Sequence, residues 1–274
     1  MRPSRFGIKR MGRRLCNKSL DPDGIELAEH SLVSSERRFG RNDPITVSKI
    51  EALASRLSAA GRTHEAITLL REAVDLRIET VGVDHPDALR AEVWLAQNLA
   101  ATGMYREAAP LFLHSINVNA DSLRSETAEH FETMVWLGMT LTHLASDDVA
   151  QIFLQQAISG LGRRYGPDDR ATLRASAWLA RSLAQESDYA AALRLRETIL
   201  ESFGRQFGPG DEDALRAMWN LAYLLHLVGR DAEAKALLQS FVDTKTRIGK
   251  GYDDETSKVK DLLAAINGNG APAG

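Results

Sequence analysis

The chain has 274 residues, 44% of them hydrophobic and 26% charged, with a formal net charge of −3 and one cysteine, Cys16. That composition belongs to a globular chain long enough for one large or two ordinary domains, and a single cysteine excludes an internal disulfide and favours a reducing, cytoplasmic setting. Residues 1–20 hold seven basic side chains and no acid, which leaves −10 on residues 21–274 and argues against a broad nucleic-acid-binding face on the folded part.

The opening stretch, MRPSRFGIKRMGRRLCNKSL, lacks the apolar central block of a secretory signal and reads as a solvated, disordered basic arm. No apolar run approaches the roughly 18 residues that a membrane helix needs. The longest candidate, Leu221–Val228, is short and interrupted by His226.

From Asp21 onward the chain repeats. Leu53, Leu95, Leu137, Leu179, Leu221 and Leu263 recur every 42 residues, each followed by Ala or Gly. Four residues beyond the first five come Leu57, Leu99, Leu141, Leu183 and Leu225, and thirteen beyond come Ala66, Ala108, Ala150, Ala192 and Ala234. Within one period Leu89, Leu95, Ala96 and Leu99 share one side of a 3.6-residue wheel, and after Gly103 so do Ala108, Leu111 and Ile116. The unit is therefore a helix A, a tight turn and a helix B. Glycines at 61, 103 and 229 close helix A, the small alanine opening helix B lets the backbones approach, and Asn42-Asp43-Pro44 and Asp84-His85-Pro86-Asp87 supply capping oxygens and a first-turn proline.

In chain order, Ile25–Gly40 matches a helix B alone. Full units are expected at 40–81, 82–123, 124–165, 166–207 and 208–249, within a repeat region spanning 21–267. The third has lost its glycines, with Ala145-Ser146-Asp147-Asp148 at the turn, so a looser corner is expected there. Residues 252–266 supply a last helix A, and 268–274 a flexible tail. A hairpin alone buries little, so neighbours must stack into an all-α solenoid.

The pattern G-x-D-H-P-D-A-L…L-A…L…G-x-Y-x-E-A…L from Gly82 to Leu111 resembles the tetratricopeptide repeat, in the 42-residue form of kinesin light chains and many bacterial repeat proteins. The resemblance covers residues 25–266. It implies a right-handed superhelix whose A helices line a concave groove, and a non-enzymatic scaffold or adaptor that holds a peptide or partner protein there, with no cofactor.

The wheel gives the groove-facing positions. Trp94 lies about 165° from the centre of its own helix's core face, and Trp136 and Trp178 hold the same place in the next two units. In kinesin-light-chain-like repeats that place carries Asn; only Asn220 keeps it here, and Trp219 has moved one position. The flanking residues on the face are Arg90 and Gln97, Glu132 and Met139, Arg174 and Arg181, and Arg216 and Tyr223, with His143 one turn further on. Tryptophans beside arginines suit an acidic or aromatic segment through stacking, cation–π and charge-assisted contacts. The same tryptophans also fit a structural ladder between adjacent A helices.

Other chemistry does not gather. His85-Pro86-Asp87 is a helix-start signal that recurs in degraded form. The seven histidines have no metal-ligand spacing, and Glu126, Glu129, His130 and Glu132 read as a solvated face. Gly249-Lys250-Gly251 is not a phosphate loop, and no catalytic set is nominated. A regulatory alternative stays open, in which the basic arm contacts nucleic-acid phosphate while the repeats bind a partner. The lone terminal helices leave homo-oligomerisation open as well.

Overall fold

Helix A begins at one register position in every repeat. Asp43, His85, Thr127, Asp169 and Asp211, spaced by 42 residues, are extended, and each side chain accepts a backbone N–H from the first helical turn. In the second repeat the acceptor is the imidazole Nδ1 of His85, 3.2 Å from the amide of Asp87. The cap there is a ring nitrogen, not one of the aspartate oxygens expected from the sequence.

The computed structural model describes residues 22–120, 126–249 and 254–269, and among them are twelve α-helices and no strand. The basic arm lies outside the described residues, as does the tail beyond Asn269. The chain divides into two compact units, Met1–Ser146 and Asp147–Gly274. Unit 1 holds α1 (Pro22–Phe39), α2 (Pro44–Ala59), α3 (Thr63–Val81), α4 (Pro86–Ala101), α5 (Tyr105–Ala120) and α6 (Ala128–His143). Unit 2 holds α7 (Asp147–Tyr165), α8 (Arg170–Gln185), α9 (Tyr189–Phe207), α10 (Glu212–Leu227), α11 (Asp231–Arg247) and α12 (Asp254–Asn269). Within each unit every helix packs on the next, so each is a run of all-α solenoid. The last helix starts at Asp254 and runs to Asn269, taking in Gly268, which the sequence assigns to a flexible tail.

The turn between A and B helices is also fixed by register. Gly61, Gly103, Ala145, Ser187 and Gly229 all have positive φ, between 55° and 81°. The amide after each returns to a carbonyl five residues back: Arg62 to Leu57, Met104 to Leu99, Ser146 to Leu141, Asp188 to Leu183 and Arg230 to Leu225, at 2.8–3.0 Å. Within unit 1 the Ser146 amide keeps its bond to Leu141 although the glycine is lost. Ala145 takes the left-handed conformation and keeps the hydrogen bonds, at a steric cost that glycine would not carry.

Stacking buries the repeated positions. Leu53, Ala54, Leu57, Leu95, Ala96, Leu99 and Leu137 are core in unit 1, against Ala66, Leu70, Ala108 and Phe112 of the B helices. In unit 2 Leu221, Ala222 and Leu225 join Ala234, Leu238, Phe241, Val259 and Ile266. Each buried leucine contributes about 2 kcal/mol, and a hairpin acquires such burial on both sides only when neighbours cover it. Among the described residues no helix is long and apolar enough to cross a membrane.

Candidate partner-binding face

The wheel counts one core face per helix, whereas an interior A helix of a solenoid packs on the B helices before and after it. On α4 the buried set accordingly includes Ala88, Ala91, Glu92 and Asn98 as well as the leucines. This is why Trp94 and Trp178, placed far from the core by the wheel, are only partly exposed; Trp136 is partly exposed as well.

In unit 1 the expected residues separate. Arg90 is exposed and donates to Asp87 Oδ1 at 2.7 Å, and Gln97 is partly buried. Trp136 on α6 leans on Phe112 of α5, with ring centroids 6.2 Å apart, so one side of the indole belongs to the core. His143 stacks flat on Tyr105 at 4.3 Å. Met139 is 5% exposed and offers no surface to a partner. Glu132 is mostly buried on α6; desolvation, with Glu129 adding repulsion, pushes its carboxyl up to about 7. His130, beside it in sequence, is buried with Nδ1 unpartnered, and burial lowers its affinity for a proton. Glu126 and Glu129 are exposed, as a solvated face would have them, whereas His130 and Glu132 are not. Among the described residues no group of three ligating side chains is placed to hold a metal ion.

One buried charge in unit 1 has a dedicated partner. Glu92 stands in the column of Ile50, Met134, Ser176 and Met218, is 5% exposed, and meets His114 Nδ1 at 2.7 Å, while His114 Nε2 lies 3.3 Å from Asp84. The hydrogen bond to Glu92 is the main reason that His114 holds its proton more tightly than a free histidine.

In unit 2 the expected face is divided. Arg174 and Arg216, expected to meet a partner's acids, are held by the chain's own Asp213, which is 4% exposed: Arg174 Nη2 donates to Oδ2 at 2.6 Å and Arg216 Nη1 to Oδ1 at 3.1 Å. Arg170 also binds Asp213 and donates to Asp211 Oδ2 at 2.8 Å. Burial works to raise the Asp211 carboxyl, but the bonds from Arg170 and from the backbone amides prevail and hold it below the ordinary aspartate range. The rest of the face remains open. Arg181 is exposed, its guanidinium carbon 5.2 Å from the centre of the Trp178 ring. On α10, Asn220 is partly buried, Tyr223 is 53% exposed with its ring 6.2 Å from that of Trp219, and Leu227 one turn on is 54% exposed.

Leu227, Asp213 and Arg196 were not among the residues picked out by the wheel. The 42-residue register held the signal for the last: Arg196 stands in the column of Leu70, Phe112, Leu154 and Leu238.

Models of the tetratricopeptide repeat match residues 46–87 and 173–245. Among solved structures the chain is similar to a putative kinesin light chain with nearly identical TPR-like repeats from Podosopora anserina, at 22% identity over 74% of this chain and 96% of that one, with a TM-score of 0.66. It is similar too to BtubC from P. vanneervenii, at 20% identity over 85% and 93% of the two chains and a TM-score of 0.69. A tetratricopeptide repeat protein from Parabacteroides merdae aligns at 16% identity over 90% and 93%, with a TM-score of 0.59. A comparison with curated proteins finds no match. Hairpins of fixed register, capped and turned alike every 42 residues, together with these matches define a tetratricopeptide repeat protein. Its fold is that of the long-repeat, kinesin light chain-like type.

Proposed function

We propose that this chain is a protein- or peptide-binding module that engages its partner on the A-helix faces of its repeats. The tetratricopeptide repeat is in general a protein-interaction scaffold, and the repeats here are built to that plan. The observation that carries the finer reading is on α10, where Tyr223 and Leu227 are each more than half exposed beside Trp219. One helix turn apart on a rigid element, they offer an aromatic and aliphatic strip at low entropic cost. Trp178 with Arg181 extends the same kind of surface on α8. A partner segment with apolar side chains at helical or extended spacing, and an acid for Arg181, suits this face. Arg174 and Arg216 are left out of the recognition set because Asp213 already takes them.

A second reading applies to Trp136 alone: its stacking on Phe112 supports a structural role in unit 1. Selection of peptides from a random display library against the immobilised full chain tests the proposal. Bound peptides are expected to slow amide exchange on α8 and α10. Protection confined to the B helices, or no selectable binder, would defeat it.

A further inference from the structure

The first described helix is bare where its counterparts are covered. In the complete repeats helix B turns one stripe toward its own helix A: His114 on α5 meets Glu92 of α4, and Ser202 on α9 donates to Asp168 Oδ1, just before α8, at 2.7 Å. By the 42-residue register the matching stripe on α1 is Leu27, His30, Ser31 and Ser34. Leu27 is 67% exposed, whereas Leu69, Leu111, Phe153, Leu195 and Leu237 in its column are all partly buried. Ser34 is exposed, whereas Leu76, Gly160, Ser202 and Thr244 are buried and Val118 partly so. The neighbouring stripe of α1, Ile25, Ala28 and Leu32, is buried, and α1 packs on α2. What is uncovered is the side on which a helix A belongs.

The occupant is named by the register of the residues that precede α1. The five A helices from α2 to α10 have 16 residues each, and the counterpart of Pro44–Ala59 one period earlier is 2–17, followed by a short turn before α1. In that stretch Ile8 falls in the column of Ile50 and Met134, Met11 in that of Leu53 and Leu95, Gly12 in that of Ala54 and Gly138, and Leu15 in that of Leu57 and Leu99. Ile8, Met11, Gly12 and Leu15 share one side of a helix, and Pro3 falls in its first turn, where a missing N–H is tolerated. Arg5 is the exception, in the column of Val47 and Leu89; from the first turns of a helix its long stem can carry the guanidinium to water. We propose that residues 2–17 form the helix A of a further repeat and dock on the Leu27–Ser34 stripe of α1. Arg10 and Arg13 then fall in the groove columns of Trp94 and Gln97, which gives the basic arm a place in the solenoid. The proposal is independent of the binding reading above.

A 16-residue helix this basic is not stable alone, so its order reports docking. Amide exchange of the full chain is followed by mass spectrometry in wild type and three variants. In wild type the amides of residues 2–17 are expected to exchange at least about tenfold more slowly than an unstructured peptide of the same sequence. Leu27→Asp, on α1, and the Ile8→Ser, Leu15→Ser pair, on the arm, should each abolish that protection; the second pair leaves the described helices untouched and so cannot act by unfolding them. Arg10→Gln with Arg13→Gln should leave it in place. Unprotected amides in wild type overturn the proposal, as does protection that survives Leu27→Asp or that disappears with the arginines instead of the apolar pair. Protection that rises with protein concentration gives the stripe to a second copy and overturns it as well.

Discussion

Arg174 on α8 reaches across to Asp213 on α10, donating from Nη2 to Oδ2 at 2.6 Å, and so ties one repeat's helix A to the next. Arg170 and Arg216 converge on the same carboxylate, which is almost wholly buried. Asp213→Asn removes the charge but not the shape, leaving three guanidiniums facing each other. It is expected to cost about 2–4 kcal/mol in urea unfolding, more than any of the three arginine-to-alanine changes, because stranding a buried network costs more than trimming its rim. Equal effects from all four variants would show that the arginines act independently.

The same cluster sets an acid limit. Asp211, held below the ordinary aspartate range in the folded state, contributes stability that is present above its unfolded pKa and is lost as pH falls through the folded value. Asp211→Asn should flatten the acid side of the stability profile, below about pH 4, and leave its slope near neutrality unchanged.

Glu132 acts with the opposite sign. Its carboxyl, raised to about 7, binds a proton in the folded state that the unfolded chain has already released, so stability contributed below the ordinary glutamate value of 4.5 is lost as pH rises to about 7. Glu132→Gln should remove that slope and stabilise the chain by about 1–3 kcal/mol at pH 8, as read from denaturation midpoints across pH.

Two turns hold strain that glycine relieves. Ala145 and Ser187 have φ of 55° and 66° in a column otherwise occupied by glycine. Ala145→Gly and Ser187→Gly are each expected to stabilise by about 0.5–1 kcal/mol, the steric gain exceeding glycine's greater unfolded-state entropy. A loss of stability in both would mean that the backbone has another way to close those corners.

The fold was legible because it rests on register. A 42-residue recurrence of Leu-Ala, a capping residue and a turn residue dictates helix starts, stops and packing faces through local rules, and the cap column Asp43, His85, Thr127, Asp169 and Asp211 follows it even as the residue type changes. The face was less legible, because a wheel measures one helix against one core. It could not register that Trp136 would rest on Phe112 or that Met139 would be buried. Nor does spacing along one helix indicate that Arg174 would be claimed by Asp213, 39 residues away and on the next A helix. Arg196 was visible only by comparing columns across repeats.

The tryptophans should separate by role. Trp136→Ala, which removes an indole packed on the core, is expected to lower stability by about 2–4 kcal/mol; Trp178→Ala, whose ring lies under Arg181, should cost less and weaken partner binding more. Thermal midpoints and peptide affinities measured on both variants check the split.

The central claim concerns the exposed strip on α10, and its most direct test is the affinity of a display-selected peptide for wild type and for the Tyr223→Ala, Leu227→Ala double variant. Both side chains are more than half exposed, so the variant should unfold within about 0.5 kcal/mol of wild type. The account predicts at least about a tenfold loss of affinity at unchanged stability; equal affinity for the two proteins would contradict it.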